Sequence, residues 1–213
     1  LVCAALTIAL GACSGDKAGK ESSQITIGIP QDVDSLDPHK AVAAGTKEVL
    51  FNVFEGLVKP DSEGNLNDAV AESHTISEDG KVYTFTLRDE VKFHDGTTVT
   101  AEDVKYSIDR CADTSNGDPL VSAFLAIDSV NIIDEKTVEI VLKEGNTDFL
   151  PYLTAAIIPA ANEDPESNPI GTGPYKYVSR SPQENVILEK FDEYWGTPAN
   201  IDTVKLQVIA NAD

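Results

Sequence analysis

The sequence predicts a mixed fold of the α/β or α+β class, and three observations lead to this prediction. Several short segments alternate apolar and polar side chains with the period of a strand, two carry apolar residues with the period of a helix, and the two kinds of segment do not alternate regularly. With 213 residues, of which 41% are hydrophobic, the chain can bury a core in one or two domains.

The first elements lie within the first 60 residues. A strand is predicted over residues 25–29 because isoleucine occupies every second position there, and a polar loop over residues 31–38 follows it. A helix is predicted over residues 46–54, where four apolar side chains share one face. Gly56 is expected to end it.

The clearest strand pattern covers residues 81–87, whose aromatic and leucine side chains fall on one face. A second helix is predicted to begin after Thr100 and to continue to about Arg110. The Thr100 hydroxyl can cap the amide of Asp103, and acidic residues in a first turn are favoured by the helix dipole.

The second half of the chain reads mainly as strands. A hairpin is predicted from residues 127–133 and 137–142, joined by a charged turn. After a proline-rich connection, three further strands are predicted over residues 175–178, 185–189 and 204–209.

The N-terminus predicts export. Residues 1–10 are almost wholly apolar but too few to cross a membrane core of roughly 30 Å, which takes about 20 residues. Leu10, Gly11, Ala12 and Cys13 resemble a bacterial lipobox. We therefore expect residues 1–12 to be part of a signal peptide, Cys13 to be lipidated, and residues 13–24 to be a solvated tether. The lack of any methionine predicts that the chain is a fragment.

The net charge and the cysteines narrow the class of protein further. The formal charge of −20 excludes a nucleic-acid binder that works by neutralising phosphates. Apart from Cys3 and Cys13 the sequence has only Cys111, so no internal disulfide is expected in the body, and Cys111 reads as a small buried apolar residue.

No motif for covalent chemistry is present. The sequence lacks GxSxG, HExxH and CxxC, and its three histidines have no metal-ligand spacing. We predict neither a catalytic residue, nor a metal site, nor a cofactor. An exported hydrolase that uses the abundant carboxylates stays open as an alternative of a different class.

Six motifs occur in one order along the chain: SLDP (35–38), SEDGKVYTF (77–85), LR with VKFHDGT (87–97), TAEDVKYS (100–107), GTGPY (171–175) and YWG (194–196). This string resembles the N-terminal part of family 5 extracellular solute-binding proteins, the peptide and nickel receptors of ABC importers. The resemblance covers nearly all of the chain from Ile25 onward.

The resemblance implies a class II periplasmic-binding-protein-like fold. Residues 25–45 and about 170–213 would belong to the first of two lobes, residues 46–169 would form an inserted extra domain, and the second lobe would be missing.

The resemblance also implies candidate ligand-binding residues. The loop Asp32-Val33-Asp34 would line the cleft and pair its backbone with an extended ligand, which tolerates many side chains. The turn Gly171-Thr172-Gly173 would border the same cleft. Two structural alternatives stay open: an Asx turn at either aspartate, and a turn that only requires glycine dihedral angles.

The function that follows is a lipid-anchored receptor that captures an oligopeptide or dipeptide and delivers it to an ABC permease. It would act as a monomer in the periplasm or at the cell surface, without enzymatic activity. A nickel chelate or another small solute is the alternative ligand within the family.

Overall fold

The computed structural model describes residues 22–115 and 117–209. In these ranges the chain forms two α-helices, α1 (Ala44–Leu50) and α2 (Ala101–Ala112). Its strands are β1 (Gln24–Ile29), β2 (Val58–Pro60), β3 (Leu66–Asp68), β4 (Ala71–Ile76), β5 (Val82–Leu87), β6 (Ile127–Ile132), β7 (Thr137–Leu142), β8 (Tyr175–Ser181), β9 (Asn185–Lys190) and β10 (Thr203–Val208). The predicted signal peptide, Cys13 and most of the tether lie outside the described residues.

The strands form two four-stranded sheets and a small ribbon. Sheet one has the order β1-β10-β9-β8, with β1 parallel to β10 and the other neighbours antiparallel. Sheet two has the order β4-β5-β7-β6 and is antiparallel throughout. The ribbon pairs β2 with β3. This mixed pairing agrees with the predicted class.

Sheet two is covered by α2 and holds the larger core. Alternate residues of β5 and β7 are buried as predicted, with Tyr83, Phe85 and Ile140 fully enclosed. From the helix side, Val104 and Ile108 pack onto them. Burial of this much apolar surface is the main stabilising term for this part of the chain.

Sheet one covers a second core. Its buried residues come from β9 and β10, from the loop after β1, and from the segment that contains α1. Val49, Leu50, Val53 and Phe54 belong to this second core, whereas Leu57 belongs to the first. The packing therefore changes at Gly56, ten residues later than the expected start of an inserted domain. The division into domains itself stays a prediction.

The helix ends follow local physical chemistry. The carboxylate of Asp103 accepts the Thr100 N–H at 2.9 Å, and the Thr100 hydroxyl accepts the Asp103 N–H at 3.4 Å, which completes the predicted cap of α2. The first helix is shorter than predicted, since it ends at Leu50 and turns follow. Its apolar face continues into those turns, so the pattern alone overextends it.

Two further observations concern membranes and thiols. Among the described residues, none of the helices has the length and apolar character needed to cross a membrane. Cys111 is buried within the first core, and burial raises the pKa of its thiol to about 12. It is therefore uncharged and unreactive at neutral pH, in the structural role that the sequence predicts.

Candidate functional site

An open groove of about 410 Å³ runs where three parts of the chain meet. One wall is the loop at residues 38–41, another is α1 with the turns that follow it, and the third consists of Leu120, Val121 and the 3-10 segment near Tyr152. Most of the lining side chains are apolar, with few polar groups, which is the usual composition of a small-molecule site.

Large apolar side chains are exposed in this groove. Phe51 is 50% exposed, Tyr152 47% and Leu120 43%, and all three line it. These three exposed apolar groups make the groove a candidate binding surface. A larger depression of about 870 Å³ near the start of α2 is lined mainly by charged and polar side chains, including the ion pair of Lys136 with Asp89.

The floor of the groove includes His39. Its ring Nε2 lies 2.7 Å from the carbonyl oxygen of Ala156, so it carries the proton and donates, while Nδ1 accepts from Arg110. Burial lowers the pKa of His39 to about 4, and the positive charge of Arg110 acts in the same direction. The imidazole is therefore neutral at neutral pH and fixes the loop against the 3-10 segment.

The same loop is held by a buried ion pair between Asp37 and Arg110 of α2. The Asp37 carboxylate is fully enclosed. It accepts hydrogen bonds from both terminal nitrogens of the Arg110 guanidinium, and the distance from Nη1 to Oδ1 is 3.0 Å. Burial alone would raise the pKa of Asp37, but hydrogen bonds from Arg110 outweigh it and keep the pKa below its usual range. Glu166 completes the support by accepting the N–H groups of Leu36 and Asp37 at 3.1 Å.

Asp32 and Asp34, both candidate ligand-binding residues, have internal partners. Asp32 is bonded to Arg180, with Nη2 at 2.7 Å from Oδ2, and to the N–H of Gln183 at 2.8 Å. Although burial opposes it, these bonds lower the pKa of Asp32. Asp34 accepts the N–H groups of Val42 and Ala43 at 3.0 Å.

Asp34 is exposed, whereas Asp32 is buried. Hydrogen bonding with Thr46, together with these two N–H groups, lowers the pKa of Asp34 to about 2. Asp34 thus ties the loop to the start of α1, while the side chain of Val33 lies between the two aspartates in the second core. Both carboxylates therefore bond groups well separated in sequence, which is a tertiary link and differs from the local Asx turn that the sequence left open.

The turn Gly171-Thr172-Gly173 packs against the backbone that follows α1. A Cβ on Gly171 would lie 2.1 Å from the carbonyl oxygen of Val53, and one on Gly173 would lie 2.5 Å from that of Asn52. Thr172 is fully buried. Glycine is needed here because two backbone segments touch.

None of the six predicted ligand residues lines the groove. Whether they border a ligand stays a prediction. The residues that sequence reasoning missed are His39, Phe51, Leu120 and Tyr152. One of them carried a signal, because Phe51 is a large aromatic residue that lies off the apolar face of the predicted helix.

A cluster of polar and aromatic side chains around Glu55 lies where the two cores meet. The carboxylate of Glu55 accepts hydrogen bonds from Lys59 Nζ, Tyr194 Oη and Trp195 Nε1, each at 2.7 Å. Arg88 stacks on the Trp195 ring, 4.4 Å from its centre. This arrangement is fully satisfied internally, and it has no open position for a substrate. No set of three or more His, Cys, Asp or Glu residues in the described ranges is grouped so as to hold a metal ion.

Comparison with known proteins extends these observations. The chain is 32% identical over 200 residues to the glutathione-binding protein GsiB of Escherichia coli, covering 89% of this chain and 39% of the relative. It thus spans about two fifths of the length of the curated relatives it matches.

Two solved structures share the fold. AgaA of A. tumefaciens R10, in complex with agropinic acid, matches with a TM-score of 0.82 and 31% identity, over 87% of this chain and 40% of that protein. The periplasmic binding protein DppA of Helicobacter pylori, in complex with the peptide STSA, matches with a TM-score of 0.79 and 26% identity, over 89% and 43%. The predicted class II periplasmic-binding-protein-like fold is therefore confirmed. This chain covers about 40% of the length of each matched structure.

The family model described as bacterial extracellular solute-binding proteins, family 5 Middle, matches residues 65–213. This range exceeds half of the chain, and it includes five of the six collinear motifs entirely. The chain belongs to the bacterial extracellular solute-binding proteins of family 5.

Proposed function

We propose that this protein is the substrate-binding component of an ABC importer, that it captures peptides outside the cytoplasmic membrane, and that it passes them to a membrane permease. The observation that carries the proposal is the open apolar groove with three exposed large side chains in its walls. Such a site binds by burial and hydrogen bonding and performs no covalent step.

Peptides are the ligand class that the observations favour. An apolar groove with few polar groups can take side chains of varied shape, as a receptor for different peptides must. Two relatives support the same class, since one is named for binding glutathione and another was solved with a peptide. The complex of AgaA with agropinic acid supports testing other small solutes as well.

The rigid support of the groove fits a receptor. Asp32 and Asp34 hold the loop that leads to Val42, and Gly171 to Gly173 hold the turns after α1 that carry one wall. In this proposal these residues act by fixing the groove. Direct contact between them and a ligand stays a prediction.

The location and partners follow from the sequence. We propose that lipidated Cys13 anchors the protein to a membrane as a monomer, in the periplasm or at the cell surface, where the tether lets the folded part reach a permease. Labelling of growing cells with a radioactive fatty acid, with Cys13→Ser as the matched variant, tests the anchor. Label that is retained in Cys13→Ser would overturn it.

The ligand class is tested on the full-length protein that the natural gene encodes. The protein is incubated with a pool of dipeptides to pentapeptides, retained peptides are identified by mass spectrometry, and their affinities are measured by isothermal titration. Retention of peptides supports the proposal. A co-purified nickel chelate or another solute with no retained peptide would overturn the ligand class, and turnover of an ester, peptide or glycoside would favour the hydrolase.

A pair of variants tests the groove itself. Phe51→Glu places a charge in the groove and is expected to weaken binding of the retained peptide by about tenfold or more. Ile133→Glu makes the same change at a side chain that is 58% exposed and lies outside the groove, so it serves as the control. Equal affinity of the two variants would place the ligand elsewhere.

A further inference from the structure

The charges around the groove are unevenly distributed. Lys47 of α1 lines it, and every other lining side chain is apolar or an uncharged polar group at neutral pH. His39 is the other basic residue in the lining, and because burial lowers its pKa to about 4, it carries no charge there. The groove therefore contains one cation and no carboxylate.

Lys47 is exposed and has no acidic partner in the described part of the chain. The ion pairs found there engage other lysines, such as Lys59 with Glu55 at 2.7 Å and Lys105 with Asp109 at 2.9 Å, and none includes Lys47. Its sequence neighbour Glu48 does not line the groove, since adjacent helical residues point in different directions.

Lys81, Lys143 and Lys205 also form no ion pair in the described residues, but Lys47 differs from them in lining the apolar groove. A lysine that stands alone beside exposed apolar groups has a charge available to a bound molecule. Desolvation by a ligand that covers Phe51 and Tyr152 would strengthen the attraction between that charge and an anionic group.

We infer that Lys47 binds a carboxylate of the ligand, and that the groove selects solutes that carry a free carboxylate next to an apolar group. The inference rests on the proposed function and names its ligand class more closely. For a peptide the group is the terminal carboxylate or an acidic side chain, and the apolar part lies against Phe51, Leu120 and Tyr152. The ammonium of Lys47 is a compact charge on a flexible stem, so it can follow carboxylates of peptides that differ in length.

The test compares free acids with amides. The peptide pool is prepared with free and with amidated C-termini, the peptides that the unaltered protein retains are made singly in both forms, and their affinities are measured by titration. Lys47→Gln is compared with Lys81→Gln, which removes the same charge from an exposed position outside the groove.

The expected result is that amidation weakens binding to the unaltered protein by about tenfold or more, and that Lys47→Gln weakens binding of the free acid by a similar factor but leaves the amide unchanged. Lys81→Gln should keep the preference. If the retained peptides carry an acidic side chain, its amide replaces the terminal amide in the comparison.

The outcomes separate this inference from the proposed function. Equal binding of acid and amide, or equal weakening of both by Lys47→Gln, would overturn the role of Lys47 while peptide binding stands. Failure of the unaltered protein to retain either pool would overturn the peptide receptor and, with it, the assignment of Lys47 to a peptide carboxylate.

Discussion

Asp37 shows how one residue can determine the shape of the groove. Its carboxylate is fully enclosed, so its charge would be very unfavourable without a partner. Arg110 of α2 donates two hydrogen bonds to this carboxylate. The backbone N–H of His39 donates a third, at 3.1 Å from Asp37 Oδ1. The loop that forms one wall is thus fixed to a helix of the other core.

The two cations near Asp37 are expected to differ greatly in their effect on stability. Arg110→Met leaves the enclosed carboxylate unpaired and should lower the free energy of unfolding by about 3 to 5 kcal/mol. Lys40→Met removes an ammonium that is 59% exposed and 3.5 Å away, and should cost less than about 1 kcal/mol. Urea unfolding of both variants checks this. Similar losses would show that the buried pair has no special role.

Two histidines are expected to make stability depend on pH. Burial lowers the pKa of His39 and of His94 to about 4 from the ordinary 6.5. Between these values the unfolded chain binds protons that the folded chain does not, so stability is complete above about pH 6.5 and falls as the pH drops toward 4. Each histidine contributes at most about 1.4 kcal/mol per pH unit, or about 3 kcal/mol over the window.

A comparison of variants isolates this effect from the change in net charge. His39→Gln should make the free energy of unfolding fall less steeply between pH 6.5 and 4 than in the unaltered protein, by up to about 1.4 kcal/mol per unit. Measurements at pH 7 to 8, where both proteins should show flat profiles, serve as the reference. An identical slope for both proteins in the acid window would contradict the prediction.

At the scale of the elements, the turn at residues 171–173 packs closely against the segment after α1, at positions where only glycine fits. The Gly173 N–H donates to the Val53 carbonyl at 2.9 Å, and the Tyr175 N–H donates to that of Asn52 at 3.1 Å. Side-chain atoms would separate these backbones. The position of one groove wall therefore depends on two glycines that lie outside the groove.

Two alanine substitutions should act in opposite directions. Gly171→Ala places a methyl group 2.1 Å from the carbonyl oxygen of Val53 and should destabilise the protein by about 1 to 3 kcal/mol. Gly45→Ala lies in the first turn of α1, where the new Cβ meets no other part of the structure within 4 Å, and should stabilise by up to about 1 kcal/mol. Thermal unfolding measures both. A Gly171→Ala protein as stable as the parent would show that the backbones can separate without cost.

The elements that the sequence predicts well are those with strong periodicity. In β5 every second residue is buried, and the cap of α2 has its full complement of side chains, so local rules suffice. The patterns do not indicate β2, β3 or β4. Two of these have three residues each, and β4 carries mostly polar side chains with only its first residue buried. β2 and β3 pair with each other and β4 pairs with β5, so these strands form through pairing and not through a strong pattern of their own.

At the scale of the whole molecule, the groove could not be predicted from local patterns. Its walls come from residues near 40, 50, 120 and 152, and they meet only because two cores are joined in a fixed orientation. The family resemblance pointed to residues 32–34 and 171–173, which the structure places among the supports of these walls. Their predicted contact with a ligand stays a prediction, and the exposed apolar lining required the tertiary structure.

The joint between the two cores depends on Glu55. This residue lies between Phe54 of the second core and Leu57 of the first, and its carboxylate, almost fully buried, is bonded to Lys59, Tyr194 and Trp195. The Glu55 carboxylate thus lies where the chain passes from the second core to the first. We therefore expect the two cores to unfold together.

Removal of this carboxylate should uncouple the cores. Trp195 is the only tryptophan of the sequence, so its fluorescence reports on the joint, while circular dichroism reports on all the strands and helices. In the unaltered protein the two urea transitions should coincide. In Glu55→Ala the fluorescence transition should come first, because Lys59 loses its partner and the half-buried Tyr194 and Trp195 donors lose their acceptor, at a cost of about 1 to 3 kcal/mol.

Glu193→Ala provides the matched control for this prediction, since Glu193 is an exposed carboxylate that precedes the same aromatic pair and bonds to Lys92. Its loss should leave the two transitions coincident and change their midpoint little, as is usual for surface ion pairs. Coincident transitions in Glu55→Ala as well would contradict the prediction and assign the coupling to apolar contacts alone. If the fluorescence and circular-dichroism transitions separate in Glu55→Ala only, a single buried carboxylate couples the two cores. It then also fixes the relative position of the groove walls.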